Sequence, residues 1–438
     1  MTQRKQIVIT AFALFSLFFG AGNLILPPYL GYNAGSSWFW VAIGFAISAV
    51  IIPIMAIYGH ARLQGTMLDF ANKVSPWFAL VYSVLVYAIS VSLPSPRTAS
   101  MAYEMAIEPY FDLSSLWLSI IYFSLVLVFV LNRNKILSII GKYLTPLIIL
   151  ILLLVIVLGL NTDTESLRSS IFDNTLVSGI LEGYQTFDAI GGVVVGGVIV
   201  ISFSLQGKYK YHDQRKMIAK SGLLAGLGLF IIYAGLIALG AWQSGSMLVE
   251  DRTELLLFLC INSLGDVGTA FLAVLVALAC FTTAVGIVTG TADFVKGVFR
   301  NSQRAYVITA VTGCIIGVLV GQKTVGYIID VAIPALMFIY PITIVLIILS
   351  VLPDRLTSKL VYRATVITTI IFSIPDFAAT LKLQLIPQHI LESIRTYIPL
   401  SHDHMGWILP FLITFFLSNL YGASKGKSQH PEMENERI

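Results

Sequence analysis

Phe15-Ser16-Leu17-Phe18-Phe19-Gly20-Ala21-Gly22-Asn23-Leu24-Ile25-Leu26-Pro27-Pro28 is an apolar run interrupted at its centre by Gly-Ala-Gly-Asn. Glycine costs about 1 kcal/mol in a helix interior relative to alanine. A buried amide side chain costs more unless it is hydrogen-bonded. Against lipid neither cost is offset. Both are tolerated where a membrane helix unwinds and its bare backbone lines a cavity. The stretch therefore reads as a membrane helix broken half-way across.

A second stretch has the same character: Glu182-Gly183-Tyr184-Gln185-Thr186-Phe187-Asp188-Ala189-Ile190-Gly191-Gly192. An aspartate in hydrocarbon costs about 3 kcal/mol or more, so Asp188 also asks for an internal cavity. The chain around these breaks has 438 residues, 57% of them hydrophobic and 11% charged. Soluble domains carry about 25% charged residues, so lipid must be the solvent for most of this chain. Apolar runs of about 20 residues are what a bilayer crossing needs. They fall at 7–30, 38–58, 76–107, 116–132, 141–160, 176–206, 218–242, 264–299, 304–321, 325–351, 362–382 and 405–423, an expectation of twelve spans.

With the N-terminus cytoplasmic, the inner segments collect Arg4, Lys5, Arg62, Lys73, Arg133, Lys135, Lys142, Lys208, Lys210, Arg300 and Arg304. The outer ones are acidic, with Glu108, Asp112, Asp163, Glu165, Glu250, Asp251 and Glu254. That is the positive-inside pattern, with both termini cytoplasmic and the polar tail 424–438 expected to be disordered. Residues 246–262 are expected to form a short helix outside the spans. The first apolar run is read as a retained span. Cys260, Cys280 and Cys314 show neither disulfide nor metal spacing and read as small packing residues.

The two interrupted spans are five apart and so cross in opposite directions, the sequence sign of inverted repeats with a binding site at their interface. The expected organisation is 1–160 as the first repeat, 176–351 as the second, and 362–423 as two appended helices. Not every glycine is a break: Gly192 with Gly196, Gly222 with Gly226 and Gly286 with Gly290 fit close helix packing.

A half-helix starting near Gly22-Asn23-Leu24 offers free N–H groups and a positive dipole end to a carboxylate. Carbonyls of Tyr184, Gln185 and Thr186 suit an ammonium. On span 8, Ala279, Thr282 and Thr283 share one helical face at i, i+3, i+4, and span 1 supplies carbonyls at Ser16 and Phe19. Five such oxygens suit a monovalent cation, although mid-helix threonines also fit back-bonding to their own helix. Arg97 reads either as a substrate contact or, preferably, as the ion-pair partner of Glu104 seven residues on. Asp188 is open between holding an ammonium or ion and capping unwound backbone. Asp330 and Asp376 read as solvated or capping groups at span ends. The histidines, His60 among them, fall at span ends, in loops or in the tail.

These residues resemble the branched-chain amino acid:cation symporter family over almost the whole chain. The first stretch is similar to the family's span 1 signature. Leu93-Pro94-Ser95-Pro96-Arg97-Thr98-Ala99 resembles that of span 3, Gly183 to Ala189 that of span 6, and Ala279-Cys280-Phe281-Thr282-Thr283-Ala284-Val285-Gly286 that of span 8. Phe187 stands where the pattern leads one to expect Met, and Phe281 where Leu is usual. More distantly, the order of features is similar to the LeuT-type fold.

The resemblance implies an all-α polytopic membrane protein with a 5+5 inverted repeat and unwound spans 1 and 6. It implies import of leucine, isoleucine and valine by symport with Na+, a proton or another solute being the alternative. Substrate residues would be Gly20, Ala21, Gly22, Asn23, Leu24, Tyr184, Gln185, Thr186, Phe187 and Asp188, with Phe187 and span 3 residues around Tyr87 as candidate apolar walls. A Na+ site would use Ser16, Phe19, Ala279, Thr282 and Thr283, and a second Na+ position Asn23 and Thr186. No organic cofactor, no nucleic acid and no catalytic residue set are expected. The partners are an amino acid and membrane lipid, the oligomeric state is open, and the location is a bacterial cytoplasmic (inner) membrane.

Overall fold

The computed structural model describes residues 3–132, 140–162, 166–206, 211–245, 251–381, 393 and 396–428. These are helical with no strand. Arg133, Lys135, Asp163, Glu165, Lys208, Lys210 and Glu250 lie outside the described residues. So do 246–250 of the expected outer segment and 429–438 of the tail.

Chain contacts divide the protein into two units. The first comprises Met1–Thr66 and Leu85–Ala332, the second Met67–Val84 and Ile333–Ile438. This division follows compactness and differs from the repeats expected by symmetry. In the first unit, α1 (Gln3–Phe18) and α2 (Ala21–Ala34) are followed by α3 (Trp38–Ala46), which runs through a π turn at Ile47–Ile51 into α4 (Ile52–Leu63). The unit resumes inside α6 (Pro76–Ser92), with α7 (Pro94–Ala102) and a π turn at Tyr103–Ile107. Then come α8 (Ser115–Leu131), α9 (Thr145–Gly159), α10 (Thr175–Tyr184), α11 (Asp188–Gln206) and α12 (Tyr211–Trp242). Last are α13 (Arg252–Leu264), α14 (Gly268–Val298), α15 (Gln303–Val320) and the start of α16 (Val325–Val351). The second unit holds α5 (Met67–Ala71), the start of α6, the rest of α16, α17 (Lys359–Thr380) and α18 (Ile408–Ser428).

A helix lies at each of the twelve expected positions, and among the described residues eight stretches are long and apolar enough to cross a bilayer, or nine if the bent pair α10–α11 is one span. In that count Gly22–Leu63 is one stretch that takes in the end of expected span 1 and all of expected span 2, and two other helices are short. α8 has 17 residues, and at about 1.5 Å per residue it falls short of a hydrocarbon layer about 30 Å thick. α1 ends at a break after 16 residues. α18 continues past Ser424 to Ser428, so the tail begins later than expected.

The first unit is assembled by backbone contact between helices. A Cβ placed on Gly31 of α2 would lie 1.9 Å from the Ile237 carbonyl oxygen of α12, and one on Gly240 of α12 would lie 1.9 Å from the Pro28 carbonyl oxygen. A seam this close excludes any side chain. Gly192, Gly222, Gly286 and Gly290 likewise meet neighbouring side chains within 3.0 Å of a hypothetical Cβ, as the packing reading expects. All three cysteines are buried free thiols. His60 is fully buried at the end of α4, its ring nitrogens 2.9 Å from Val193 O and 3.1 Å from Gly65 O. In the second unit, Tyr82 donates to Thr343 (2.8 Å) and Arg363 to the Val74 carbonyl (2.8 Å). Asp376 is buried there rather than solvated, 3.3 Å from His404.

Candidate substrate and ion site

α1 closes with the Phe19 amide donating to the Phe15 carbonyl (2.8 Å). Gly20 is then extended (φ −118°, ψ −161°) and α2 restarts at Ala21. The restart is fixed by Asn23, whose Oδ1 accepts the Gly20 N–H at 3.3 Å, as an N3 side chain does when it caps its own helix. α10 stops at Tyr184. Thr186 Oγ1 donates back to the Gly183 carbonyl (2.7 Å) and accepts the Asp188 N–H (3.2 Å). Phe187 is held at φ 65°, a left-handed conformation that a bulky residue adopts only under constraint. Across this turn α10 and α11 are bent by 43°.

The two breaks face one another. Asn23 Nδ2 donates to Asp188 Oδ2 (2.6 Å) and to the hydroxyl of Tyr233 on α12. That hydroxyl donates to Asp188 Oδ2 at 3.2 Å. The three side chains are buried. Beside them is a cavity of about 30 Å³, lined by Gly20, Asn23, Arg97, Thr186, Phe187 and Asp188, with Leu17, Phe18, Pro94, Thr98 and Ile287 closing it. Space for one water takes about 10–15 Å³, so the cavity has room for about two waters.

Arg97 enters because of the prolines before it. Pro94 and Pro96 cannot donate the first helical bonds. α6 ends at Ser92, and α7 starts anew with the Arg97 N–H on the Leu93 carbonyl (3.2 Å). The guanidinium, 3% exposed, donates from Nη1 to the Gln185 carbonyl (3.0 Å) and lies 5.3 Å from the centroid of the Phe187 ring. Glu104 goes elsewhere and accepts the Val325 N–H at 2.9 Å. The preferred Arg97–Glu104 pairing is thus corrected. The π turn at 103–107 shifts the helical phase, so a spacing of seven no longer means a shared face.

Next to the cavity, which Thr283 also lines, the span 1 and span 8 oxygens converge. Thr282 Oγ1 accepts from Ser16 Oγ (2.9 Å) and donates to the carbonyls of Ser16 (2.9 Å) and Ala279 (3.0 Å). Thr283 Oγ1 donates to the carbonyls of Leu17 (3.3 Å) and Ser16 (3.5 Å). A Cβ on Gly20 would lie 2.8 Å from Thr283 Oγ1. Four of the five expected oxygens therefore meet in one buried cluster of neutral donors, while no contact brings the Phe19 carbonyl to them. Among the described residues no three His, Cys, Asp or Glu side chains form a metal site, so a cation here would be held by neutral oxygens.

Other expected site residues are sorted by the geometry. Gly20, Asn23, Thr186, Phe187 and Asp188 line the cavity, and Leu24 and Tyr184 are buried outside its lining. Ala21 begins α2, and its side chain is not described. The room at Gly22 is taken by Arg97, whose Nη2 would lie 2.5 Å from a Cβ there. The Gln185 carbonyl serves Arg97. Its side chain turns the other way, donating to Glu182 (2.9 Å) and accepting from Arg252 of α13 (3.1 Å). Arg252 also pairs with Glu182 at 3.0 Å and lies 5.3 Å from the Tyr29 ring centroid. Of expected span 3, Pro94, Arg97 and Thr98 line the cavity, while Tyr87 stacks on Phe294 at 4.4 Å outside its lining. Phe281 packs edge-on against Phe129 at 4.9 Å, one helical face away from the threonines. Sequence reasoning missed Tyr233 and Arg252. The available signals were a hydroxyl in an apolar helix and a cation in a segment expected to cover the others.

With this geometry in hand, comparison with known proteins is specific. Residues 3–425 match the family described as Branched-chain amino acid transport protein. The chain is 30% identical over 451 residues to the branched-chain amino acid permease BrnQ of Haemophilus influenzae, covering 98% of this chain and 100% of that one. It is 31% identical over 441 residues to the branched-chain amino acid permease BraB of Bacillus subtilis, covering 96% and 97%. Two solved transporters share the fold at low identity. Mhp1, a nucleobase-cation-symport-1 family transporter closed on bromovinylhydantoin, has a TM-score of 0.56 at 11% identity, over 96% of this chain and 93% of that one. A Na+-coupled sialic acid symporter in a substrate-bound outward-open state has 0.60 at 12%, over 94% and 89%. The apolar helices, their shared architecture with these carriers and the full-length match make this chain a multi-pass membrane protein of the branched-chain amino acid transport protein family.

Proposed function

We propose that the protein imports leucine, isoleucine and valine by symport with Na+, working by alternating access in a bacterial cytoplasmic membrane with both termini inside. The observation that carries the reading is the position of Gly20, which lines the cavity together with Thr283 and where a Cβ would lie 2.8 Å from the Thr283 hydroxyl. A cation among the oxygens of Ser16, Ala279, Thr282 and Thr283 would fix the α1–α2 break against α14. The same break sets the position of Asn23 and the free N–H groups of α2. Ion and amino acid would thus be coupled through one stretch of backbone. A substrate carboxylate suits the N-terminus of α2, the ammonium suits Asp188, and the apolar side chain suits Phe18, Phe187 and Ile287. Inverted repeats at 1–160 and 176–351 would let one bundle rock against the other about this site.

One charge driven by 100 mV supplies about 2.3 kcal/mol. At about 1.4 kcal/mol per decade that is about 50-fold accumulation, so one ion suffices. The test is uptake of labelled leucine into proteoliposomes with an inward Na+ gradient, then with choline in place of Na+. Uptake should collapse in choline, and isoleucine and valine should compete, because one methylene is worth only about 1–3 kcal/mol in an apolar pocket. Leucine entry indifferent to Na+ but driven by a pH gradient, and abolished in D188N, would transfer the coupling to a proton on Asp188.

A further inference from the structure

We infer that Arg97 is the group that reads the substrate's α-carboxylate, so that only ligands carrying a free carboxylate are accepted. The inference deepens, and rests on, the amino-acid transport reading. An arginine buried among apolar helices is expensive wherever it stands. This one is placed by a proline-initiated helix start, with its plane fixed over Phe187 and one nitrogen anchored on the Gln185 carbonyl. Its other terminal nitrogen lies over Gly22, against the first turn of α2. The first turn of a helix is itself electropositive. Two positive features are therefore held together beside a small cavity, an arrangement that recruits an anion between them. The same cavity is lined by the acid Asp188, oriented by Asn23 and Tyr233. One cation and one anion lining one small chamber match the two ends of a zwitterion. A guanidinium fork takes a carboxylate through two parallel bonds, which an ammonium cannot do.

A purely structural Arg97 would brace the Gln185–Phe187 turn, and its loss would weaken every ligand alike. A carboxylate receptor separates ligands. Purified protein in saturating Na+ is titrated with leucine and with leucinamide, which lacks the carboxylate, and ligand-induced thermal stabilisation is read. In wild type, leucine should bind about 100-fold more tightly than leucinamide. In R97Q leucine should weaken by about 10- to 100-fold, the range of charge-assisted bonds, while leucinamide changes less than threefold, so the preference collapses. R97K keeps the charge and loses the fork, and should fall between. If R97Q does not fold, the leucine-to-leucinamide ratio in R97K decides alone. A wild-type ratio in the variants, or parallel weakening of both ligands, overturns the inference. A wild-type protein stabilised by none of leucine, isoleucine and valine in Na+ would instead overturn the transport reading.

Discussion

Replacing Thr282 by valine keeps the shape of the side chain and removes one hydroxyl. Thr282 is fully buried, and Oγ1 makes three contacts of 2.9–3.0 Å, to Ser16 Oγ, Ser16 O and Ala279 O. Without it the Ser16 hydroxyl loses an acceptor, and a buried polar group left unmatched costs about 1–3 kcal/mol. The proposed ion site would lose one of its oxygens at the same time. A loss of about 1.4–2.8 kcal/mol in cation binding moves half-saturation by about 10- to 100-fold.

Leucine uptake measured against external Na+ at fixed leucine should show that displacement in T282V. The leucine KM should rise at low Na+ and recover as Na+ saturates, because coupling of two ligands is reciprocal. T282S restores the hydroxyl and should stay within threefold of wild type. Ser16→Ala is the control. It removes the donor but leaves the Ser16 carbonyl in place, so it should cost about 1 kcal/mol of thermal stability with the Na+ midpoint unmoved. A T282V curve that superimposes on wild type refutes the ion site. So does an S16A variant displaced as far as T282V.

Two further outcomes follow from the packing. Gly240→Ala puts a methyl group 1.9 Å from the Pro28 carbonyl oxygen, an atom that cannot swing aside. The α2–α12 seam must open, at about 1–3 kcal/mol, so the melting temperature should fall while the ranking of leucine, isoleucine and valine is kept. Arg252→Met removes the partner of Glu182 and Gln185. That pair is partly exposed and worth about 1 kcal/mol, so bound leucine should leave about fivefold faster. High salt should reproduce part of this in wild type, and an unchanged release rate would dismiss the contact as a clasp.

Much of the site was legible because its residues are costly anywhere else. Gly20, Gly22 and Asn23 in an apolar run, and Asp188 in another, are explained by broken helices, and the structure has those helices end at Phe18 and Tyr184. The threonine pair was legible from spacing alone, since i, i+3, i+4 needs no tertiary knowledge. What failed needed rotation about a helix axis. The partner of Arg97 depends on the π turn beyond Ala102, which no composition signals. Tyr233 sits in a 32-residue apolar helix, where a lone tyrosine has no pattern to betray that its hydroxyl meets Asn23 and Asp188. Tyr87 looked like a wall because it is aromatic and near the right depth, but Phe294 claims its face. The number of crossings was only partly legible, since hydropathy marks an apolar run without saying how long its helix is or where it bends.

The small size of the chamber has a kinetic consequence. Its volume of about 30 Å³ leaves no room for a branched side chain to slip in between rigid walls. Entry has to wait for the protein to part. Raising the leucine concentration should therefore speed association only up to a ceiling, and that ceiling is the frequency with which the walls separate unaided. A substitution far from every ligand-contacting atom can then change how fast the amino acid arrives while leaving untouched how tightly it is finally held.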